Sequence, residues 1–187
     1  MKKLLLGSLL AGLALFLYGF VSFAVLRWHH PKPVEDEAAL AKAITSTVRE
    51  KGVYMIPGQV KPDGTHRSSE EWMHASADGP YMLAVIRPGA SKRPMVSFLA
   101  AGLVLNVGLA LLLGFILGRT KLGYPCMVKM GGAIGLFSAL AGWLPAANWY
   151  EYPFSYWGPF LADHVLQGLL AAAIVGKFVV KPGASCS

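Results

Sequence analysis

An uncharged stretch of twenty-three residues, Leu4 to Leu26, limits the folds open to this chain more than any other feature of its sequence. The hydrocarbon layer of a bilayer is about 30 Å thick, and a helix needs about 20 apolar residues to cross it. The stretch is therefore predicted to span a membrane. It is longer than the ~7–15 apolar residues of a signal-peptide core. This length favours an uncleaved transmembrane anchor over residues 1–26.

Three further apolar stretches lie in the second half of the chain, at about 95–118, 128–147 and 160–180, and define a three-helix membrane region over residues 95–187. Of all residues, 55% are hydrophobic and only 14% are charged, which is more apolar than a soluble domain. The net charge of +7 falls largely beside these stretches. There it sets orientation and meets membrane lipid, so nucleic acid is not an expected partner.

The polar segment at 27–94 predicts a small α+β unit. Apolar residues at helical spacing predict a helix over 38–48, and two strands are predicted at 53–56 and 81–87, each followed by Pro-Gly. Ser68 and Glu71 have the spacing of a capping box that opens a second helix. The predicted fold is thus an all-α membrane bundle of four transmembrane helices, with a small exported α+β unit between helices 1 and 2.

The basic residues of the short connections predict the orientation, because positive charge favours the cytoplasmic side. They all fall at one end of the predicted bundle: Lys2, Lys3, Arg119, Lys121, Lys129, Lys177 and Lys181. Both termini are therefore expected in the cytoplasm. Cys126 and Cys186 then lie in a reducing compartment, and their spacing indicates neither a metal site nor a disulfide framework.

The opposite end is predicted to be an aromatic membrane interface. The segment 148–159 is read as an aromatic loop that opens into the fourth span, and Tyr and Trp favour the level of the lipid headgroups. The predicted interface residues are Trp28, Trp149, Tyr150, Tyr152, Tyr156 and Trp157.

Histidines and a carboxylate are predicted at the same outer level. Imidazole and carboxylate suit zinc, copper or iron, and histidine also ligates haem iron or the magnesium of a pigment. The candidate metal ligands are His164, Asp163 and His30, and the candidate cofactor ligands are His164, His30 and His29. The alternative is structural. On that interpretation Asp163 caps the fourth helix, hydrogen-bonded to its own turn or to His30, and no cofactor is bound.

Asn106 and Gln167 are polar residues inside predicted spans. With Asp163 they suggest a polar route through the outer half of the bundle. The alternative is that these amides hydrogen-bond to neighbouring helices and fix the packing. The motifs of serine hydrolases, zinc proteases and phosphate-binding loops are absent from the sequence, so an enzyme is not expected.

Several short motifs resemble an uncharacterised group of small bacterial four-span membrane proteins. They are the Phe16–Phe23 segment before Arg27-Trp28-His29, the sequence from Gly52-Val53-Tyr54 to Pro57-Gly58, Gly79-Pro80 before a strand, and Asn148-Trp149 after the third span. The resemblance implies a location in the bacterial inner membrane. It implies no activity, substrate or cofactor.

The function expected from the sequence is non-enzymatic. Ridges of small residues on several spans let helices approach closely. They favour an accessory or structural subunit that associates with another membrane protein or with itself as a homo-oligomer. The alternatives are a small oligomeric transporter with Asp163, His164, Gln167 and Asn106 along its route, and an outer-face metal, haem or pigment-binding protein.

Overall fold

The computed structural model describes residues 1–29 and 31–186. The chain divides into two units, which are described separately. The first unit comprises residues 1–31 and 93–187, and the second comprises residues 32–92.

The first unit contains four helices that are long enough and apolar enough to cross a membrane. Helix α1 covers Lys2–Phe20 and continues as a π-helical segment, Val21–Leu26. Helices α4, α5 and α6 cover Met95–Leu117, Tyr124–Tyr150 and Phe154–Val179. The prediction of four membrane-length helices is confirmed.

The predicted aromatic loop at 148–159 is wrong, because α5 and α6 take up most of it. Only residues 151–153 lie between the two helices. Glu151 ends α5 in the left-handed conformation, with φ of 53°, and Pro153 precedes the first residue of α6. The aromatic side chains of the turn and of the adjoining helix ends pack on one another, with Tyr152 against Tyr150 and Tyr156.

Helix α6 occupies the centre of the bundle, in contact with α1, α4 and α5, while α1 also packs along α4. Helices α5 and α6 approach so closely that their backbones touch. A Cβ atom on Gly135 would overlap the carbonyl oxygen of His164, and one on Gly168 would overlap the carbonyl oxygen of Gly131. Gly131, Gly135 and Gly168 are therefore used for packing inside the chain.

The buried core of this unit is built from aliphatic side chains of all four helices. Its members are Ala11, Leu15, Ala110, Leu113, Leu117, Met127, Ala171, Ala172 and Val175.

A disulfide joins Cys126, near the start of α5, to Cys186 in the C-terminal tail. The backbone N–H of Gly123 donates to the carbonyl oxygen of Ser185 at 2.8 Å and holds the tail beside the α4–α5 connection. The sequence interpretation, which left both cysteines unpaired, is therefore wrong. Sequence spacing did not reveal the pair because the folding back of the tail brings together residues 60 positions apart.

The second unit has two helices and a two-stranded antiparallel sheet. Helix α2 covers Glu37–Thr47 and α3 covers Ser69–Asp78, while strands β1, Gly52–Ile56, and β2, Met82–Ile86, pair with Tyr54 opposite Ala84. The predicted capping box is present at the start of α3. The small two-strand α+β arrangement predicted from the sequence is confirmed.

Candidate functional site

A carboxylate lies buried in the first unit where α6 packs against the end of α1. Asp163 is only 3% exposed. Its Oδ1 accepts a hydrogen bond from the Tyr18 hydroxyl at 2.7 Å, and its Oδ2 accepts one from the Ser22 hydroxyl at 2.7 Å. His29 Nε2 lies 2.8 Å from the same Oδ2. Three donors therefore surround one carboxyl group, which satisfies the requirement that a buried charge be hydrogen-bonded.

The imidazole of His29 lies between two aromatic rings. Its ring centroid is 4.2 Å from that of Phe23 and 4.3 Å from that of Phe160. Because Nε2 faces a carboxylate oxygen, this nitrogen carries the proton in the neutral ring. Nδ1 is buried and has no hydrogen-bond partner among the described residues. A neutral imidazole leaves only an acceptor unpaired there, whereas an imidazolium would bury an unpaired N–H.

The π-helical segment places the Ser22 hydroxyl at the centre of this group. Trp28 Nε1 donates to Ser22 Oγ at 2.8 Å, and Ser22 is fully buried. Segments of π-helix are rare and recur at functional sites. We call Tyr18, Ser22, Trp28, His29 and Asp163 the carboxylate cluster.

The carboxylate cluster contains serine, histidine and aspartate, but its geometry differs from that of a hydrolase triad. In a triad the aspartate contacts Nδ1 and the serine contacts Nε2, so that one proton can move along the chain of groups. Here Ser22 Oγ, at 3.0 Å, and Asp163 Oδ2, at 2.8 Å, both contact His29 Nε2. The cluster is arranged to hold a carboxylate between two helices.

Asp163 does not cap the fourth helix, contrary to the structural alternative drawn from the sequence. Helix α6 begins at Phe154, so Asp163 lies about 14 Å along it. Its described partners are on α1 and in the segment that follows it. The prediction erred because it began the helix near Phe160 and so placed the carboxylate in the first turn.

Of the proposed metal and cofactor ligands, Asp163 and His29 lie in contact in the carboxylate cluster, with Nε2 2.8 Å from Oδ2. His164 follows Asp163 on α6, but its Nδ1 hydrogen-bonds to the carbonyl oxygen of Phe160 at 2.7 Å. His30 lies outside the described residues. Within residues 1–29 and 31–186 there is no group of three or more His, Cys, Asp or Glu side chains that could hold a metal ion.

A second polar feature of this unit is a cleft of about 250 Å³. It lies among all four long helices, since α4 packs on α1 and α6 while α5 packs on α6. The lining residues, which define the central cleft, are Leu15, Leu109, Leu112, Leu113, Ile116, Gly131, Ile134, Gly135, Ser138, His164, Gln167, Gly168 and Ala171. The walls are mainly aliphatic, so the cleft suits an apolar occupant.

His164 and Gln167 are the polar groups that α6 contributes to the central cleft. The Phe160 carbonyl can only accept, so His164 Nδ1 carries the proton and Nε2 is an acceptor. Neither Nε2 nor the Gln167 amide makes a side-chain hydrogen bond within the described residues. His164 lies about 15 Å along a helix about 39 Å long. His164 is thus well inside α6. The sequence had placed it in the first turns, because the predicted span began near residue 160.

Asn106 belongs to neither group of residues. Its Nδ2 donates to the carbonyl oxygen of Gly102, one turn earlier in α4, at 2.8 Å. Of the residues predicted to line one polar route, Asp163 is in the carboxylate cluster, His164 and Gln167 face the central cleft, and Asn106 bonds to its own helix.

The predicted interface aromatics lie mainly around the α5–α6 turn. Tyr152 packs against Tyr150 and Tyr156, with centroids 5.9 and 5.6 Å apart. Trp157 packs edge-on against Phe154 at 4.9 Å, and Trp149 is 74% exposed. Trp28 differs from these, because its indole N–H bonds inside the carboxylate cluster.

Tyr18, Ser22 and Phe160 are site residues that sequence reasoning missed. Tyr18 and Ser22 are polar residues four positions apart in the uncharged stretch Leu4–Leu26, a spacing that predicts one face of a regular helix. Each buried polar group in such a stretch needs a partner, so the pair indicated a hydrogen-bonding site without identifying its acceptor. The role of Phe160 beside the imidazole had no comparable signal.

No protein-family model, curated protein or solved structure matches this chain. The resemblance to small bacterial four-span membrane proteins accordingly stays a prediction.

Proposed function

We propose that this chain is a non-enzymatic accessory protein of a membrane and that it binds a lipid-soluble molecule in the central cleft. The observation that carries the proposal is the pair His164 and Gln167, which present hydrogen-bonding groups without described partners to an otherwise aliphatic cleft. Unpaired polar groups are costly in hydrocarbon. A ligand that supplies their partners gains that free energy on binding.

The size of the central cleft favours a small molecule over a helix of another protein. Its volume is about 250 Å³, roughly eight times the ~30 Å³ that a water molecule occupies in the liquid. One turn of a helix, about 10 Å wide and 5.4 Å long, occupies roughly 420 Å³. A ring or a short alkyl segment fits the cleft, whereas a helical turn does not.

The polar groups define the chemistry of the occupant. His164 Nε2 accepts a hydrogen bond, and the Gln167 amide both donates and accepts. An apolar molecule with a hydroxyl group satisfies both residues, with its hydrocarbon part against Leu109, Leu112 and Ile116. Isoprenoid quinols and long-chain alcohols have this combination of groups.

The test is to purify the chain from its native membrane in mild detergent, extract it with organic solvent and quantify the bound small molecules by mass spectrometry. We expect one amphiphile in near-stoichiometric amount, and at least a tenfold loss in Gln167→Leu. The matched control is Asn106→Leu, which removes an amide from a long helix outside the cleft. The absence of a bound amphiphile from the wild type, or equal amounts in both variants, would contradict the proposal.

Association with another membrane protein or with a second copy remains part of the predicted accessory role. Glycines such as Gly12 and Gly135 are not evidence for a partner helix, because they pack against other helices of the same chain. Gly19, Gly108 and Gly142 have open space beside them, and a partner helix would approach closely there. Native gel migration after mild solubilisation tests this part, and a monomer without a co-purifying polypeptide would refute it.

The proposed location is the bacterial inner membrane, with the lysine-rich end of the bundle in the cytoplasm. The Cys126–Cys186 disulfide lies at that same end, although thiols are normally kept reduced in the cytoplasm. The positive charge therefore favours the cytoplasmic side for this end of the bundle, whereas the disulfide favours the opposite, oxidising side. A reporter that is active only after export, fused to the C-terminus, decides the orientation, and strong activity would refute the one proposed here.

A further inference from the structure

A second cavity lies at the end of the bundle where α1 begins and where α4 and α6 end. Its volume is about 610 Å³. Three of its lining side chains are cationic, namely Lys2, Lys3 and Arg119, and four others form an apolar wall: Leu4, Phe115, Phe178 and Val179. We refer to it as the basic cavity.

The cations of the basic cavity have no acidic partners in the described part of the chain. The ion pair that a lysine or arginine forms there is Lys61 with Glu71, in the second unit, and Asp163 is hydrogen-bonded to His29. In residues 1–31 and 93–187 the only acidic side chains are Glu151 and Asp163. Asp163 precedes the end of α6 by sixteen residues, about 24 Å of helix. No carboxylate side chain of the described residues therefore forms an ion pair with these cations.

Arg119 is held in place at the rim of the basic cavity. Its guanidinium carbon lies 3.4 Å from the centroid of the Phe115 ring, a cation–π contact. This contact fixes the side chain near the hydrophobic wall while leaving most of its N–H groups available. A planar guanidinium is well suited to a phosphate group.

We propose that the basic cavity binds one anionic phospholipid, with its phosphate between Lys2, Lys3 and Arg119 and an acyl chain along Leu4 and Phe178. Basic pockets between membrane helices are suited to such headgroups. A lipid is favoured over a free phosphate because the cavity, roughly twenty times the ~30 Å³ of a water molecule, continues onto an apolar wall that a free phosphate would not contact. The inference is independent of the occupant of the central cleft.

The experiment measures thermal unfolding of the purified full chain in detergent during titration with dioleoylphosphatidylglycerol. Dioleoylphosphatidylcholine, which has the same acyl chains and no net charge, is titrated in parallel. We expect the anionic lipid to raise the melting temperature at a concentration at least tenfold lower than the zwitterionic lipid. Equal responses to the two lipids in the wild type would overturn the proposal without recourse to a variant.

The variant test replaces Lys2, Lys3 and Arg119 by Gln together. Each cation near a lipid surface contributes about a fivefold change in affinity, so the triple variant is expected to need roughly a hundredfold more anionic lipid. The control replaces Lys42, Lys51 and Lys92 by Gln, which removes the same charge from exposed positions of the second unit. A similar loss of affinity for the anionic lipid in both triple variants would refute a specific site.

A titration with inorganic phosphate distinguishes a phospholipid headgroup from a free phosphate ion as the anion bound in the basic cavity. At millimolar concentration inorganic phosphate is expected to leave the midpoint of the anionic-lipid titration unchanged. If phosphate alone stabilises the chain and displaces the lipid, the cavity binds free anions and the lipid assignment is wrong.

Discussion

The change Asp163→Ala tests how much the carboxylate cluster contributes to stability. It removes the acceptor for the Tyr18, Ser22 and His29 donors, whose distances to the carboxylate are 2.7, 2.7 and 2.8 Å. Hydrogen bonds between membrane helices contribute ~0.6 kcal/mol on average and ~1.7 kcal/mol at most. Three such bonds sum to about 2–5 kcal/mol. We expect a loss of that size in the free energy of unfolding.

The measurement is reversible unfolding in mixed micelles of mild detergent and dodecyl sulfate, followed by far-ultraviolet circular dichroism. Asp163→Asn keeps one acceptor oxygen and should lose about half as much as the alanine variant. The control Leu166→Ala changes a side chain on α6 that is 42% exposed and should lose much less. An asparagine variant more stable than the wild type would show that desolvation of the charge outweighs its hydrogen bonds, and would refute the reasoning.

Three further outcomes follow from the packing, the disulfide and the capping box. Gly135→Ala should destabilise the chain by about 3 kcal/mol, because overpacking against a backbone cannot relax easily, whereas Gly142→Ala has open space and should be neutral or stabilising; equal melting temperatures would contradict this. Cys126 and Cys186 should resist maleimide until a reductant is added and then both react, and labelling of the untreated protein would contradict the bridge. Hydrogen bonding to the Ser68 backbone N–H, aided by a neighbouring lysine, lowers the pKa of Glu71, so its stabilising contribution is present above the ordinary glutamate pKa and is lost as pH falls through the lowered value. Thermal unfolding followed by circular dichroism across that pH range should show that the stability of Glu71→Gln depends less on pH than that of the wild type.

Hydrophobic length was enough to predict the four long helices. A run such as Leu4–Leu26 allows few alternatives, because its backbone polar groups must bond within the segment in a lipid environment. The ends of the helices were less predictable. The aromatic residues around Trp149 and Tyr156 suit both a headgroup-level loop and a helix end, so composition did not locate the turn at 151–153.

The sequence predicted several residues of the candidate site, but not which residues they contact. Asp163, His164 and Gln167 were identified from their polarity in a hydrophobic segment, but the sequence does not show which face of α6 each one occupies. Adjacent residues on a helix diverge by about 100°. This rotation places Asp163 in the carboxylate cluster and His164 in the central cleft.

The bridge between Cys126 and Cys186 has a consequence for the α5–α6 turn. A cut in the backbone within residues 151–153 leaves one cysteine on each fragment, because the bridge joins residues on either side of the turn. The two fragments would stay covalently joined and migrate as a single band until they are reduced. The last long helix would thus remain covalently attached to the chain after proteolytic nicking at the α5–α6 turn.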